Sequence, residues 1–348
     1  MRYIGSKINL IPNIEKLIKR EVRSTESTFL DIFAGTNSVA RHFKPKYQII
    51  TNDTLAFSYL NALSTIKQNG RPAFIRLSKQ QSQDPIKYLN EEANKHLAKE
   101  SVGYYESVYS PTGNAQYFTR ENAKRIDYIR EKIATWSIDG KISRLEEAYL
   151  ISSLIEAVPL VSNTTGTYGA FLKSWDKRAF KPLKLEHIEI LNNGKNNRCF
   201  MEDANTLAAH VEADIVYIDP PYNGRQYAAN YHVLENIAEH RKPEVKGKTS
   251  ISDWSAKKSN YCSKQLAFDA LTDLIDNLKA KHFILSYNSE GIIPRDKLET
   301  IFRDRPAFTN VQIETIPYRK YRSKIVSKKS ELYEILIYAN KKDTYTHY

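Results

Sequence analysis

The stretch DIVYIDPPY, residues 214–222, decides the fold that this sequence predicts. Its first five residues form a short apolar run rich in β-branched side chains, which is typical of a strand buried in a parallel sheet. Two prolines follow, and because proline lacks the backbone donor of a sheet ladder, the chain must leave the sheet there. Asp219 and Tyr222 are therefore expected at the end of a strand, where open α/β sheets place their active sites.

Five further segments have the pattern of strands: residues 28–32, 47–51, 282–287, 311–316 and 331–338. Residues 36–43, between the first two, predict a turn and a short helix, and hence a βαβ unit of the kind that binds ligands at strand ends. A basic stretch, residues 318–329, separates the last two strands. These two strands are expected to form a terminal antiparallel hairpin.

Long helical patterns replace the strand pattern between about residues 70 and 196. Residues 120–136 and 144–158 predict helices, and residues 104–118 predict an aromatic loop before them. We therefore predict an α/β fold with a doubly wound, mostly parallel sheet. Its domains are expected to be a sheet domain of residues 1–69 and 197–348, and an inserted helical domain of residues 70–196.

The chain carries 52 lysine and arginine residues against 40 aspartate and glutamate residues, a net charge of +12. This excess favours a polyanionic partner, with nucleic acid the leading candidate, although a basic protein without such a partner is the alternative. Cys199 and Cys262 are far apart and the histidines form no ligand pattern, so we expect neither disulfides nor a metal site. No signal peptide or membrane segment is predicted, and a cytoplasmic location fits.

The DPPY turn has the groups that methylation of an exocyclic adenine amine requires. The lone pair of that amine is delocalised into the ring, so acceptors must draw its hydrogens into hydrogen bonds before it can act as a nucleophile. Asp219 supplies a carboxylate acceptor and Pro220 a carbonyl acceptor, while Tyr222 offers a face on which a flipped base can stack. The alternative is a proline-stiffened turn with a capping aspartate.

The stretch FLDIFAGTNS, residues 29–38, predicts a strand, a glycine turn and the start of a helix with Ser38 as a candidate cap. Asn37 stands where a second glycine is expected, and asparagine tolerates left-handed backbone geometry. The next strand ends beside Asp53, a place where an acid commonly binds ribose hydroxyls. Together they favour an adenosine-containing cofactor, with a plain βαβ unit or a nicotinamide dinucleotide site as alternatives.

RYIGSK at residues 2–7, DIFAG at 31–35, Asn52-Asp53 and DPPY at 219–222 resemble the motifs of Dam-like, alpha-group (D12 class) N6-adenine DNA methyltransferases. The order matches too, with an inserted target-recognition region before DPPY. The resemblance implies a sheet of the S-adenosylmethionine-dependent methyltransferase type with an antiparallel final strand. It also implies transfer of a methyl group from S-adenosylmethionine to N6 of a flipped adenine in double-stranded DNA, in a restriction-modification or orphan system. A restriction endonuclease acting on the same site is a candidate partner.

The resemblance also assigns site residues. The catalytic residues would be Asp219, Pro220 and Tyr222. The cofactor-binding residues would be Tyr3, Lys7, Asp31, Phe33, Gly35, Asp53, Asp203 and Asp219. Tyr3 and Lys7 would hold the methionine end of the cofactor, and Asp203 would accept a hydrogen bond from the adenine amine of the cofactor. Ala204 departs from the phenylalanine that the family often has after this acid, and capping of the following helix is the alternative role of Asp203.

Aromatic and basic residues alternate between residues 104 and 130, and residues 162–169 are polar and flexible, as DNA-contacting segments often are. The predicted DNA contacts are Tyr117, Arg120, Lys124, Arg125, Asn163, Thr165, Arg225 and Tyr231. Two basic segments, residues 242–264 and 319–329, are further candidates for backbone contacts. The alternative for residues 104–130 is a charged, solvated face over a core of tyrosines. For residues 162–169 and the two basic segments it is an ordinary solvated loop, and for Arg225 and Tyr231 it is a role in packing.

Two other functions fit parts of this pattern. A methyltransferase that acts on N4 of cytosine, on RNA or on a protein amide would share the fold. Asp219 argues against this interpretation, because the cytosine-N4 and protein-amide enzymes resemble families with serine or asparagine at this position. A DNA-binding specificity subunit without catalysis would share the basic character, but the presence of Lys7, Asp53 and Asp219 together argues against lost activity.

Overall fold

The computed structural model describes residues 7–79, 83–317 and 332–342. Tyr3 and the basic residues 319–329 lie outside these ranges. The described strands are β1 Thr28–Asp31, β2 Gln48–Asn52, β3 Arg198–Phe200, β4 Ile215–Ile218, β5 Val245–Lys246, β6 Ile251–Ser252, β7 His282–Asn288, β8 Phe308–Pro317 and β9 Tyr333–Lys341.

The α-helices follow in chain order. They are α1 Ile11–Glu21, α2 Ser38–Phe43, α3 Ala56–Ala62, α4 Ile75–Ser78, α5 Pro85–His96, α6 Tyr104–Tyr109, α7 Arg120–Ile138, α8 Arg144–Ala157, α9 Ala204–Ala208, α10 Tyr227–Asn230, α11 His232–Glu239, α12 Ala267–Asn277 and α13 Arg295–Arg303. Short 3-10 helices cover Pro111–Gly113, Val158–Leu160, Lys177–Phe180, Ser255–Lys257 and Asn260–Cys262, and Leu63–Lys67 is π-helical. In the described ranges, no helix is both long and apolar enough to cross a membrane.

The described chain divides into two compact units. The sheet unit consists of Lys7–Thr54, Lys195–Gln226 and the described residues from Ser259 onward. The helical unit consists of the described residues of Leu55–Gly194 together with Tyr227–Lys258. The sequence placed the boundaries at residues 69/70 and 196/197, so the observed helical unit additionally includes residues 55–69 and 227–258.

The extra segments join the helical unit through contacts that are distant in sequence. The carboxylate of Glu235 in α11 accepts hydrogen bonds from the backbone N–H groups of Ala56 and Phe57, at 2.8 and 3.1 Å. It therefore caps the first turn of α3, whose own N-cap residue makes no side-chain hydrogen bond. Because α3 and α11 are far apart along the chain, no local pattern indicates this boundary.

The sheet of the sheet unit has the order β3-β2-β1-β4-β7-β9-β8. The five strands from β3 to β7 are parallel, and β9 is antiparallel to both of its neighbours. Alternate residues of β1 face opposite sides: Phe29 stacks on Phe43 of α2, whereas Leu30 joins the core that includes α9, α12 and α13. The predicted doubly wound sheet with an antiparallel final strand is confirmed.

In the helical unit, α7 and α8 begin at the residues that the sequence indicates. The Thr119 hydroxyl accepts a hydrogen bond from the N–H of Asn122, and Ser143 and Glu146 form a capping box. The predicted aromatic loop, residues 104–118, is wrong in its first half, which is helix α6. The carboxylate of Asp127 in α7 accepts from the N–H groups of Tyr105 and Glu106, and this cap from a neighbouring helix is invisible in the local sequence.

Candidate active site

Three neighbouring parallel strands bring the predicted site residues to one edge of the sheet. Asp31, the last residue of β1, pairs in register with Thr51 of β2 and Tyr217 of β4. The carboxyl ends of these strands therefore lie side by side, and Asp53 and Asp219 follow directly beyond them. Carboxylates from three strands meet at one edge, as the sequence predicted.

The glycine turn after β1 has the left-handed geometry that its residues allow. Gly35 has φ of 51° and Asn37 has φ of 58°. The N–H of Gly35 donates to Asp53 Oδ2 at 2.8 Å, so Asp53 fixes the turn. Ser38 does not cap α2: Asn37 is the N-cap residue, without a side-chain capping bond, and the Ser38 hydroxyl lies 2.7 Å from that of Thr36.

Asp31 is a buried carboxyl group with an unused oxygen. Its side chain is 1% exposed, and its Oδ1 has no hydrogen-bond partner among the described residues. Burial, followed by the charges of Asp219 and Asp53, raises the pKa of Asp31 well above its usual value. A buried, unpaired polar atom at a strand end is a position where a ligand can complete the hydrogen bonding.

Lys7 connects the DPPY aspartate to a second carboxylate. Its Nζ lies 3.3 Å from Asp219 Oδ1 and 3.1 Å from Glu334 Oε2, with exposures of 6% for Lys7, 14% for Asp219 and 6% for Glu334. Burial alone would lower the pKa of Lys7, but the charges of Asp219, Glu334 and Tyr222 raise it above its usual value. Lys7 is therefore a charged, immobilised cation between two acids.

Side chains of β7 and β4 complete this network. Ser286 donates to Asp219 Oδ1 at 3.1 Å, and its oxygen lies 2.7 Å from the Tyr217 hydroxyl. Asn288 donates to Glu334 Oε1 at 3.2 Å. Ser286 and Asn288 are two residues apart in β7 and so point to the same face of the sheet. The network fixes both carboxylates from several strands.

The pKa of Asp219 is raised to about 6. Burial is the main cause, the positive charge of Lys7 opposes it, and the charge of Glu334 raises the pKa further. Hydrogen bonds from Lys7 and Ser286 favour the ionised form. Asp219 is therefore ionised at neutral pH and becomes protonated just below it.

Tyr222 is half-buried beside this network. Lys7 Nζ lies 5.3 Å from the centre of its ring, and the ring meets the edge of Tyr287 at a centroid distance of 6.3 Å. Its backbone carbonyl accepts from the N–H of Ile292 at 2.8 Å, which holds the turn after the two prolines. Within the described ranges, no cluster of three or more histidine, cysteine or acidic residues could hold a metal ion.

The model of the D12 class N6 adenine-specific DNA methyltransferase family matches residues 3–301. The chain belongs to this family. It is 50% identical to modification methylase StsI of Streptococcus sanguinis over 342 residues, 98% of the chain and 52% of that protein. It is 43% identical to Type II methyltransferase M.FokI of Planomicrobium okeanokoites over 343 residues, 98% of the chain and 53% of that protein.

Type II methyltransferase M.NlaIII of Neisseria lactamica is 33% identical over 333 residues, 93% of each protein. The chain thus spans about half the length of StsI and M.FokI, and nearly all of the length of M.NlaIII. The family that the four sequence motifs predicted is confirmed.

Two further residues that were predicted to bind the cofactor, Asp203 and Phe33, make contacts within the protein. Asp203 is exposed and caps α9, accepting from the N–H groups of Asn205 and Thr206 at 3.0 and 3.1 Å. The capping alternative for this residue is therefore present in the structure. Phe33 is half-buried, and its ring meets Tyr261 edge-on at 5.0 Å.

Four of the eight predicted DNA contacts are buried in the helical unit: Tyr117, Lys124, Asn163 and Tyr231. The Tyr117 hydroxyl donates to the carbonyls of Tyr168 and Thr249, and the Lys124 ammonium donates to the carbonyl of Lys99. Burial gives these side chains a structural role. The sequence interpretation is corrected for Tyr117 and Lys124, because a buried side chain engaged with backbone carbonyls does not reach a phosphate or base edge. Asn163 binds the backbone of Ser174 and Asp176, and the Tyr231 ring packs against Phe57.

The other four predicted DNA contacts reach the surface: Arg120, Arg125, Thr165 and Arg225. Arg120 is paired with Glu106, and Arg125 donates to Asn94 at 2.9 Å, so both side chains are partly committed to protein contacts. Thr165 and Arg225 are exposed. The role of these four residues in binding DNA stays a prediction.

The sequence did not single out Glu334, Ser286 or Asn288. The available signal was weak. Glu334 is a lone acid before the apolar run of residues 335–339, and Ser286 and Asn288 are polar residues near the end of another strand. Polar residues in strands that are buried on both faces need partners. The partners become evident only from the pairing of β7 with β9, in which Asn288 faces Glu334.

Proposed function

We propose that this protein transfers a methyl group from S-adenosylmethionine to N6 of an adenine flipped out of double-stranded DNA. The observation that carries the proposal is Asp219 of the DPPY turn, held at the sheet edge by Lys7 and Ser286. Because the chain covers only about half of StsI and M.FokI, the activity, substrate and partners of the whole protein are part of the proposal.

Asp219 and Pro220 act on the target amine. The contacts that Asp219 receives from Lys7 and Ser286 both go to Oδ1, so Oδ2 is the oxygen that accepts a hydrogen from the amine. The carbonyl of Pro220 accepts the other hydrogen. With both hydrogens bound, the lone pair is directed away from the ring and towards the methyl donor. The ring of Tyr222 stacks on the extruded base.

S-adenosylmethionine, the donor that this methyltransferase family implies, supplies an electrophilic methyl group on a sulfonium centre. Among the described residues, the Lys7 ammonium contacts two carboxylates, and an ammonium has three donors, so a third can bind the carboxylate of the cofactor. The unpaired Oδ1 of Asp31 can accept from the cofactor amine, and Asp53 can bind the ribose. Gly35 has no side chain, so the turn can approach the cofactor closely, and the half-buried Phe33 offers an aromatic surface. The role of Tyr3 stays a prediction.

The first test is to incubate the purified protein with methyl-labelled S-adenosylmethionine and unmodified genomic DNA, and to digest the product to nucleosides. We expect the label in N6-methyladenine. Label in N4-methylcytosine would be consistent with the fold but would show that cytosine, not adenine, is the substrate base. DNA binding without any label would favour the non-catalytic specificity subunit.

Asp203 has two proposed roles that one pair of variants separates. Asparagine also caps helices, so Asp203→Asn should leave thermal stability nearly unchanged, whereas Asp203→Ala should lower the free energy of unfolding by about 1 kcal/mol. If the carboxylate accepts from the cofactor adenine amine, Asp203→Asn should also weaken S-adenosylmethionine binding by roughly tenfold. Isothermal titration calorimetry of both variants with S-adenosylmethionine distinguishes the two roles. An unchanged affinity of Asp203→Asn for S-adenosylmethionine would restrict this residue to capping.

We propose that the helical unit carries the DNA-recognition surface, and that the hairpin of β5 and β6 contributes phosphate contacts. Lys246 and Lys248 are exposed on it, and neither takes part in an ion pair within the described chain. The buried Tyr117 hydroxyl binds the carbonyl of Thr249 at the hairpin tip and the carbonyl of Tyr168. One hydroxyl thus holds the hairpin and the end of the polar segment 162–169.

Replacing both lysines should change the salt dependence of DNA binding. Each phosphate contact contributes a slope of roughly −0.9 to the logarithm of affinity against the logarithm of salt concentration, so the double variant Lys246→Ala, Lys248→Ala should flatten the slope by about 2. Fluorescence anisotropy with a DNA duplex at several salt concentrations measures it. The control is Lys87→Ala, Lys95→Ala in α5, where glutamates neutralise both lysines. An unchanged slope in the hairpin variant would remove the hairpin from the DNA surface.

The names of StsI, M.FokI and M.NlaIII describe modification or Type II methyltransferases. We propose that this protein likewise modifies DNA in a restriction-modification system, alongside an endonuclease that cleaves the same unmodified site. An orphan methyltransferase is the alternative. The proposal includes a cytoplasmic location in a prokaryotic cell, which fits a DNA substrate.

A further inference from the structure

Glu334 is an acid buried at the start of β9, next to the apolar residues Ile335, Leu336 and Ile337. A carboxylate is rarely buried unless it is paired, and here both oxygens have partners. Oε2 lies 3.1 Å from Lys7 Nζ, and Oε1 accepts from the side-chain amide of Asn288 at 3.2 Å. Glu334 is thereby fixed at both oxygens.

We infer that Glu334 is a positioning residue for methyl transfer, which acts through Lys7 to orient the carboxylate of Asp219. The inference rests on the proposed function and deepens it. Lysine has a flexible four-carbon stem, so a single contact with Asp219 would leave its ammonium free to move. The second carboxylate holds the ammonium in place, and the ammonium in turn holds Asp219 Oδ1 at 3.3 Å.

The geometry assigns separate tasks to the two oxygens of Asp219. Oδ1 is engaged by Lys7 and by the hydroxyl of Ser286. The carboxylate cannot rotate without breaking both contacts, so Oδ2 keeps one direction before the base arrives. Without Glu334, the Lys7 contact loses its support and the orientation of Oδ2 depends on Ser286 alone. A misplacement of the acceptor by about 1 Å can cost on the order of a hundredfold in rate.

Glu334 also acts on Asp219 through its charge. The charged and titratable groups around Asp219 come from β1, β4, β9, the turn after β4 and the segment before α1. They are Lys7, Asp31, Tyr217, Tyr222 and Glu334. Lys7 lowers the pKa of Asp219 and Glu334 raises it. A neutral side chain at position 334 that can still accept a hydrogen bond from Lys7 should therefore lower the pKa of Asp219.

The test variant is Glu334→Gln, which keeps the size and an acceptor oxygen but removes the charge. Aspartate labelled with carbon-13 at the side-chain carboxyl is titrated by NMR, and the Asp219 signal is identified as the one missing from Asp219→Asn. The midpoint should lie near 6 in the unmodified protein and fall by roughly one pH unit in Glu334→Gln. The acid limb of kcat/KM should shift in the same direction.

Glu334→Ala tests the orienting role. Its kcat should fall on the order of ten- to a hundredfold, with KM for DNA changed less than twofold. The matched control is Glu314→Gln, an acid in β8 that pairs with Arg20 and should leave both titration and kcat unchanged. An Asp219 midpoint that does not fall in Glu334→Gln, or a normal kcat in Glu334→Ala, overturns the inference. The NMR midpoint requires no turnover, so it stays informative if the unmodified protein methylates no adenine.

Discussion

Asp219→Asn is expected to lower kcat for adenine methylation by roughly a thousandfold, while DNA affinity stays within about twofold of its original value. Asparagine keeps the size of the side chain, but its amide oxygen is a weaker acceptor than a carboxylate. Its NH2 group also presents donors where the target amine presents donors. The lone pair of N6 then stays delocalised in the ring. The variant should be compared by single-turnover methyl transfer, which separates chemistry from binding and product release.

The control for this variant is Asp296→Asn, which removes an exposed carboxylate from the first turn of α13 and should leave kcat unchanged. A variant at position 219, asparagine or alanine, that methylates DNA at the original rate would overturn the proposed mechanism. So would normal turnover well below pH 6 in the unmodified protein. Asp219 has a pKa of about 6, and its protonated form loses an acceptor, so kcat/KM should decline as the pH falls through that value.

The sheet could be predicted from the sequence because its evidence is local. Apolar runs followed by small or acidic residues indicated β1, β2, β4 and β7, and all are present within one residue of the predicted ends. No bounds were predicted for β3, which is an edge strand of three residues with only partial burial. Short edge strands bury too little apolar surface to leave a recognisable run.

Features that depend on distant partners could not be predicted. Helix α6 requires the carboxylate of Asp127, and the boundary of the helical unit requires the contacts of Glu235 with α3. The same applies to Tyr117, where alternating aromatic and basic residues indicated a DNA contact and the structure shows a buried hydroxyl bound to two carbonyls. The residue type shows that a side chain has a group able to bind a phosphate. Whether the side chain can reach a phosphate depends on its burial in the folded protein.

The residues of the candidate site show the same difference between local and distant evidence. Motif residues such as Gly35, Asp53 and Asp219 could be predicted, since strand ends of a parallel sheet must meet at one edge. Glu334 and Ser286 could not, because their partners are set by the register between β7 and β9 and by the insertion of β9 between two other strands. The motifs therefore indicated which groups lie at the sheet edge, and the strand register shows which groups contact them.

Lys7→Met is expected to lower the free energy of unfolding by about 3–5 kcal/mol at pH 8. Methionine fills a similar volume but leaves Asp219 and Glu334 buried near each other without the cation between them. Burial and the charge of Glu334 should raise the pKa of Asp219 in the folded variant further above its unfolded value. The folded state then binds more protons than the unfolded state, so the loss of stability is complete above the raised pKa and shrinks as the pH falls through it.

Urea unfolding of the variant and of the unmodified protein at pH 8 and pH 5 measures this difference, and we expect the deficit at pH 5 to be less than half of that at pH 8. The control, Lys19→Met, removes an exposed lysine that pairs with Glu15 in α1, and should show no pH-dependent deficit. A Lys7→Met deficit of equal size at both pH values would mean that the two carboxylates do not depend on Lys7. In that case the cation would serve the cofactor alone, and the link between Lys7 and the orientation of Asp219 would fail with it.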